Sequence, residues 1–339
     1  MENLNEKKEF LKENKNAKIN YPKKSEKITN NALYNYFINK PFCVFKSILI
    51  YSTKKKLIIC MDLNSFNKLD EKRNFHNATI TNIRYFNDKN KESKERDIIL
   101  TISSSNCQIN LWNWMGKKLE NIKKLENIYN QGYIYSAVFF NHNNNDYIAT
   151  SNSFNNNKTE PIKVFICNNF NDSQIKESNE NTFYIDFFND GNNFHIVTAN
   201  FGKIKSYDFK NNSIYHIYNS NDNMEHYKFL IIKNAKIYKL IDLSRNENLR
   251  IWNYNSGELI KNIVIGNSII LYDMCDWIDN SIFISCDNKK FILFSIETYE
   301  KVGEIDVDKD VSCIKSMNTS NNEKCLFSQG VSGQITMWK

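Results

Sequence analysis

The chain has 339 residues, 41% apolar and 14% aromatic, with a formal net charge of +7. That apolar content supports a sizeable core and excludes global disorder. The mild, evenly spread positive charge is not a dense basic arm, so nucleic acid is not expected as a partner while an acidic protein segment is. No apolar run approaches the roughly 18 residues of a membrane-spanning helix. The first residues are charged and lack an apolar signal core. A soluble protein of a reducing, cytoplasmic compartment is therefore expected, with no membrane role.

The eight cysteines (Cys43, Cys60, Cys107, Cys167, Cys275, Cys286, Cys313 and Cys325) form no CxxC pair and show no regular spacing. A disulfide or zinc framework is not expected, and Cys60, Cys167, Cys286 and Cys313 fall in apolar runs as small core residues. Glycine (9) and proline (3) are scarce. Asparagine takes their place in runs such as 143–145 and 155–157, because it tolerates left-handed backbone and forms Asx-turns.

In chain order, residues 1–30 form a polar tail in which Leu4 and Leu11 are too sparse for a helix. Within it, 17–21 alternates like an edge strand. From residue 31 to 339 the chain repeats. Its clearest copy is 249–259, where Leu249, Ile251 and Asn253 alternate with Arg250, Trp252 and Tyr254 before an Asn-Ser-Gly turn. That alternation predicts a strand with one inward face. Large side chains equivalent to Trp252 close a third strand in each copy: Met61, Trp112, Phe165, Tyr207, Trp252, Phe294 and Trp338. They recur at intervals of roughly 40–50 residues, the period of one four-stranded sheet per repeat. The longer early intervals carry polar insertions at 87–96 and 152–160.

A second strand precedes each mark, at 48–52, 98–103, 147–150, 194–199, 239–243, 281–285 and 325–328. A more continuously apolar first strand precedes that, at 33–38, 80–86, 133–140, 183–188, 227–232, 269–275 and 311–317. First strands of this kind are expected nearest a central axis, covered on both faces.

These repeats resemble the WD40-repeat β-propeller family, whose repeat ends in Trp-Asp after its third strand. The resemblance covers about 32–339, with its best copies at 103–119 and 244–259. It implies an all-β fold: seven radial blades, each a twisted four-stranded antiparallel sheet. The family's signature residues are thin here. Trp112 and Trp252 are followed by Asn, Met61 and Tyr207 by Asp; the Gly-His pair survives as Phe75-His76, and the turn Asp as Asp287. The family's Asp–His–Ser–Trp hydrogen-bond network is expected to be mostly missing, leaving the blades to rely on apolar packing. The sequence stops after the third strand of the seventh copy, so the last blade is expected to be completed by the N-terminal piece at 17–21, which would cover an otherwise open sheet edge.

No catalytic, cofactor-binding or metal-binding residues are expected. The five histidines are scattered, with His76 read as a structural turn residue and His195 at the start of a strand. No phosphate-loop, dinucleotide or nucleophile-elbow motif is present, and Asp306 and Asp308 read as solvated turn acids. The candidate partner-binding face is a set of turn cations: Lys54, Lys55, Lys56, Lys158, Lys203, Arg245, Lys289 and Lys290. Such a ring would attract an acidic or phosphorylated segment. The expected function is a non-enzymatic interaction scaffold within a larger intracellular complex. The alternative is a substrate-recognition subunit, for example of a ubiquitin ligase, binding such a segment. The phosphoinositide-binding propellers use a Phe-Arg-Arg-Gly motif, and no adjacent arginines occur here.

Overall fold

The computed structural model describes residues 24–29 and 41–338, apart from 89–94, 130–132, 154–161, 168–171, 175–180, 221–223, 235–236, 245–247, 267–269, 279, 288, 309, 319–323 and 331–332. It is a seven-bladed β-propeller. One strand, β1 (Lys24–Thr29), precedes the first blade. Blade 1 is β2 (Phe42–Phe45), β3 (Ile48–Ser52), β4 (Ile58–Asp62) and β5 (Lys68–Lys72). Blade 2 is β6 (Asn82–Asp88), β7 (Arg96–Ser103), β8 (Gln108–Trp114) and β9 (Leu119–Leu125). Blade 3 is β10 (Tyr133–His142), β11 (Asn145–Ser153), β12 (Lys163–Ile166) and β13 (Asp172–Gln174). Blade 4 is β14 (Thr182–Asn189), β15 (Phe194–Asn200), β16 (Lys203–Asp208) and β17 (Ser213–Asn219). Blade 5 is β18 (His226–Asn234), β19 (Ile237–Ser244), β20 (Asn248–Asn253) and β21 (Leu259–Val264). Blade 6 is β22 (Leu271–Asp276), β23 (Ser281–Cys286), β24 (Lys290–Ser295) and β25 (Glu300–Asp306). Blade 7 holds β26 (Val311–Asn318), β27 (Lys324–Gly330) and β28 (Ile335–Trp338).

Each blade is an antiparallel sheet in chain order, and in the seventh the order is β1-β28-β27-β26. The outermost place there is taken by β1, with Lys24 opposite Trp338 and Lys27 opposite Thr336. Residues 17–21, where the sequence puts such a strand, lie outside the described residues. The first strand of blade 1 is also displaced from its expected position. The innermost strand is Phe42–Phe45, which folds directly back on Ile48–Ser52 through Lys46 and Ser47, both at positive φ; residues 33–38 lie outside the described residues.

The core is distributed among seven interfaces. Separate buried clusters fill the gaps between blades 1 and 2, 2 and 3, 3 and 4, 4 and 5, 5 and 6, 6 and 7, and 7 and 1. Each sheet is therefore sandwiched face to face by two neighbours. This corrects the one-sided reading of 249–254. Leu249 and Ile251 pack toward blade 6, whereas Trp252 and Tyr254 pack toward blade 4. Outer strands bury less, as in β21, whose residues are half-buried or exposed throughout.

The seven repeat marks occupy one structural position. Each faces the second strand at an equivalent register, for example Leu49 opposite Met61, Ile99 opposite Trp112 and Leu326 opposite Trp338. Each is also a wedge against the preceding blade: Trp112 packs with blade 1 residues, Trp252 with blade 4 and Trp338 with blade 6. In blades 1, 2, 4, 5 and 6 a register shift against the outer strand falls immediately before the mark. Such bulges increase local twist, so the outer strand turns away where the large side chain enters the interface. Asparagine serves the turns as expected: Asn74, Asn127, Asn143, Asn144, Asn212 and Asn280 sit at positive φ.

Candidate functional site

Strand alternation assigns the turns to two faces. Turns joining second to third strands share one face with the connections between blades; first-to-second and third-to-fourth hairpins share the other. Lys54, Lys55 and Lys56 form an exposed turn between β3 and β4 on the first of these faces. The Lys56 Nζ donates to the Asn77 carbonyl at 2.7 Å. Lys289 is exposed at φ 58 in the β23–β24 turn. Lys203 opens β16 and is half-buried. Lys158 and Arg245 lie outside the described residues.

Lys290 departs from the expected display. Its Nζ lies 2.6 Å from Glu304 Oε1 and 3.8 Å from Asp306 Oδ1 on the outer strand of its own blade. Glu304 also takes Lys301, and these lysines hold its carboxyl down at about 2. Register makes this pairing, since β24 and β25 place Lys290 opposite Asp306. The exposed basic display among the described residues thus comes from Lys54, Lys55 and Lys56 on blade 1 and Lys289 on blade 6.

A second constellation joins histidines, hydroxyls and tryptophans. In blade 2 the Trp112 indole N–H donates to Thr101 Oγ1 at 2.9 Å, and Thr101 Oγ1 lies 2.8 Å from His76 Nε2. Asn110 Nδ2 approaches the same His76 nitrogen at 2.9 Å. Gln108 completes the group, accepting from the Asn77 N–H and donating to the Phe75 carbonyl. His76 is thus a structural residue, as its sequence position implies. Blade 7 keeps one link, Trp338 Nε1 to Ser328 Oγ at 2.8 Å. In blade 6, Asp287 Oδ1 accepts from the Ile270 N–H at 3.1 Å, tying the turn to the incoming connection.

Blade 5, the best copy by sequence, has a different arrangement. At the register where blades 2 and 7 carry a hydroxyl, it has Asp242 opposite Arg250. Asp242 Oδ1 lies 2.7 Å from His226 Nδ1, and its other oxygen lies 3.5 Å from Arg250. His226 Nε2 lies 3.2 Å from Ser220 Oγ. The Trp252 indole N–H is left without an acceptor among the described residues.

Ser220, His226 and Asp242 therefore line up as a nucleophile, a base and an orienting carboxylate would. Their surroundings oppose that use. The Ser220 hydroxyl donates to the Gly202 carbonyl at 2.8 Å, and His226 and Asp242 are fully buried. The geometry ties a connecting segment to the blade 4 turn and to β19. The thiols are equally quiet: all eight cysteines are free, burial raises the pKa of Cys43, Cys60 and Cys275 far above the usual range, and that of Cys167 is pushed up to about 12. A protonated thiol is neither a good nucleophile nor a good metal ligand. Among the described residues no group of three or more His, Cys, Asp or Glu could hold a metal ion. No helix among them is long and apolar enough to cross a membrane.

Two cations in the inner strands, the half-buried Arg84 and the buried Lys228, were not singled out by the sequence. Arg84 on β6 reaches past blade 3 to blade 4. It donates to the Ala137 carbonyl at 3.0 Å, the Ile185 carbonyl at 2.7 Å and Asp186 Oδ2 at 2.7 Å. Lys228 on β18 lies 2.6 Å from Asp273 Oδ1 on β22, and Asp273 Oδ2 accepts from the Ile314 N–H at 3.1 Å on β26. Desolvation opposes charge on Lys228, but Asp273 holds its pKa above the ordinary lysine value. These contacts link blades 2, 3 and 4 and blades 5, 6 and 7. The available signal was a lone charge inside an apolar first strand, a pattern that also fits an exposed strand position.

No family model matches the sequence, and no curated protein matches it. Solved structures do. The crystal structure of Chaetomium thermophilum Raptor aligns with a TM-score of 0.70 at 10% identity over 94% of this chain. The chain spans 29% of that protein. The crystal structure of the Myceliophteria thermophila Cps50 (Swd1) β-propeller domain aligns with a TM-score of 0.67 at 12% identity, over 93% of this chain and 99% of that domain. Likeness at these identities concerns the fold.

Proposed function

We propose that the protein is a non-enzymatic interaction scaffold, a divergent member of the WD40 propellers that takes part in a protein complex. The observation that carries this reading is how the chemically capable side chains are spent. His76, His226, Asp242, Arg84, Lys228 and Asp273 are all engaged inside or between blades, while the turns on both faces present varied side chains on a ring of packed interfaces. A rigid frame with independent loops suits binding. The Trp112–Thr101–His76 relay supports family membership, because it reproduces three of the four partners of the family's network. The propeller fold of the Swd1 domain, and Raptor's occurrence as a much longer chain, agree with a module that works alongside other polypeptide.

The partner segment on the first face is proposed to be acidic or phosphorylated, drawn by Lys54, Lys55, Lys56 and Lys289 through long-range attraction and charge-assisted hydrogen bonds. The test is a triple reversal, Lys54→Glu, Lys55→Glu and Lys289→Glu, followed by quantitative affinity capture from the native cell. Lys290 is left intact because it is paired with Glu304. Partner recovery is expected to fall by about tenfold, a loss of about 1.4 kcal/mol, with the unfolding midpoint unchanged. Unchanged recovery would reject this face as the binding surface.

A further inference from the structure

The opposite face carries a feature of different chemistry. Where β6, β10 and β14 end, Phe86, Phe139, Phe140 and Phe187 surround an open cavity of about 190 Å³, with Asn87 and Asn141 at its mouth. A roughly 150 Å³ cavity lined by apolar side chains is enough to accept a benzene ring. The volume here therefore fits one aromatic side chain.

The walls are held by ring packing. Phe140 sits 5.7 Å from Phe187 and 5.1 Å from Phe194, Phe187 stacks on Phe194 at 5.8 Å, and Phe86 meets Phe139 at 6.1 Å. The Arg84 guanidinium lies 5.2 Å from the Phe86 ring centre while its donors are taken by Asp186 and two carbonyls. The floor is thus rigid and asks for no anion. Phe86 and Phe187 remain half-buried, so covering them would gain apolar burial worth on the order of 25 cal/mol per Å².

Charge around this mouth indicates the neighbours of the incoming ring. Asp88 and Asp146 share one guanidinium, Arg96, at which Asp146 Oδ1 lies 2.8 Å away. Asp88 lines the cavity and Asp146 accepts from Asn141 Nδ2 beside it, so among the described residues two carboxylates share one arginine at this mouth.

We infer that this cavity is a docking pocket for a single aromatic side chain of a protein partner, carried on a segment with basic residues beside it. The pocket and the lysine-bearing turns lie on opposite faces and prefer opposite charge, so the two can be occupied by different segments. The inference stands apart from the proposed role of Lys54, Lys55 and Lys289.

The test is titration of the full chain with the acetylated, amidated tripeptides Lys-Trp-Lys, Lys-Ala-Lys and Glu-Trp-Glu, followed by ligand-observed NMR. Lys-Trp-Lys is expected to bind in the millimolar range, about −4 kcal/mol, and the other two at least about tenfold more weakly. Asn87→Trp should fill the mouth from an exposed position and abolish binding without moving the unfolding midpoint. Phe187→Ala, which removes a wall, should weaken binding by about tenfold and guards against an Asn87 variant that misfolds. No Lys-Trp-Lys binding, equal binding of all three peptides, or undiminished binding by both variants would overturn the pocket. Reversal of Lys54, Lys55 and Lys289 should leave this titration unchanged, so either reading can fail alone.

Discussion

At the scale of single residues, His76 shows how a core position can set the pH response. Burial presses its pKa down to about 3, and Lys124 adds to the effect. The contacts agree: with Trp112 donating to Thr101, the Thr101 hydroxyl is free to donate to His76 Nε2, and a proton there would oppose the Asn110 donor. The unfolded chain takes up this proton near pH 6.5, the folded chain only near 3. Stability contributed by neutral His76 is therefore complete above about pH 6.5 and is lost as pH falls toward 3, by an amount of a few kcal/mol. Burial depresses His142 and His195 in the same direction. His76→Gln should flatten the dependence of the chemical unfolding midpoint between pH 7 and 4; an unaltered slope would assign the acid sensitivity elsewhere. Ser220 offers a second check. Its bond to Gly202 and the burial of His226 predict no covalent labelling by a fluorophosphonate probe. Labelling lost in Ser220→Ala would establish a reactive serine and contradict the scaffold reading.

At the scale of elements, the strand pattern was legible because burial here is two-sided and periodic. Expected and observed strands agree closely wherever long apolar runs alternate with asparagine-rich turns, as in 183–188 against β14 and 281–285 against β23. In blade 1 the expected second strand 48–52 is β3, but the inner strand is Phe42–Phe45 and not 33–38, because the two strands are joined by only two residues, Lys46 and Ser47, neither of them a glycine that would mark a turn. The N-terminal strand gave a weak signal for a related reason. An outer strand needs few apolar residues, and Lys24–Thr29 pairs antiparallel with β28. Deleting residues 1–29 would expose the edge of β28, and sheet edges left unpaired are unstable and sticky. The thermal midpoint is expected to drop by about 3 °C, consistent with a loss of about 2 kcal/mol in a chain of this length; an unchanged midpoint would mean that β1 adds nothing to the ring.

At the scale of the whole molecule, seven similar interfaces replace one core. The repeat marks Met61, Trp112, Phe165, Tyr207, Trp252, Phe294 and Trp338 each fill one of them from the same register. That regularity is why the sequence alone determined the architecture: the requirement to cover both faces of each sheet writes the same spacing seven times. Binding surfaces have no such repetition. The Phe86–Phe187 cavity joins three inner strands spread over about a hundred residues of sequence, and nothing in any one strand marks it. Arg84 and Asp186, or Lys228 and Asp273, become partners through ring geometry. Lys290 shows the converse, a cation that reads as available in the sequence and is neutralised by its neighbour on β25. The sequence by itself determined the number of blades, the four-strand repeat and the side chains that wedge them, because these follow from local alternation and spacing. Only the tertiary structure decided which charges are spent on stitching blades, which stay exposed, and where an aromatic pocket opens, because those depend on contacts between blades that sequence distance does not encode.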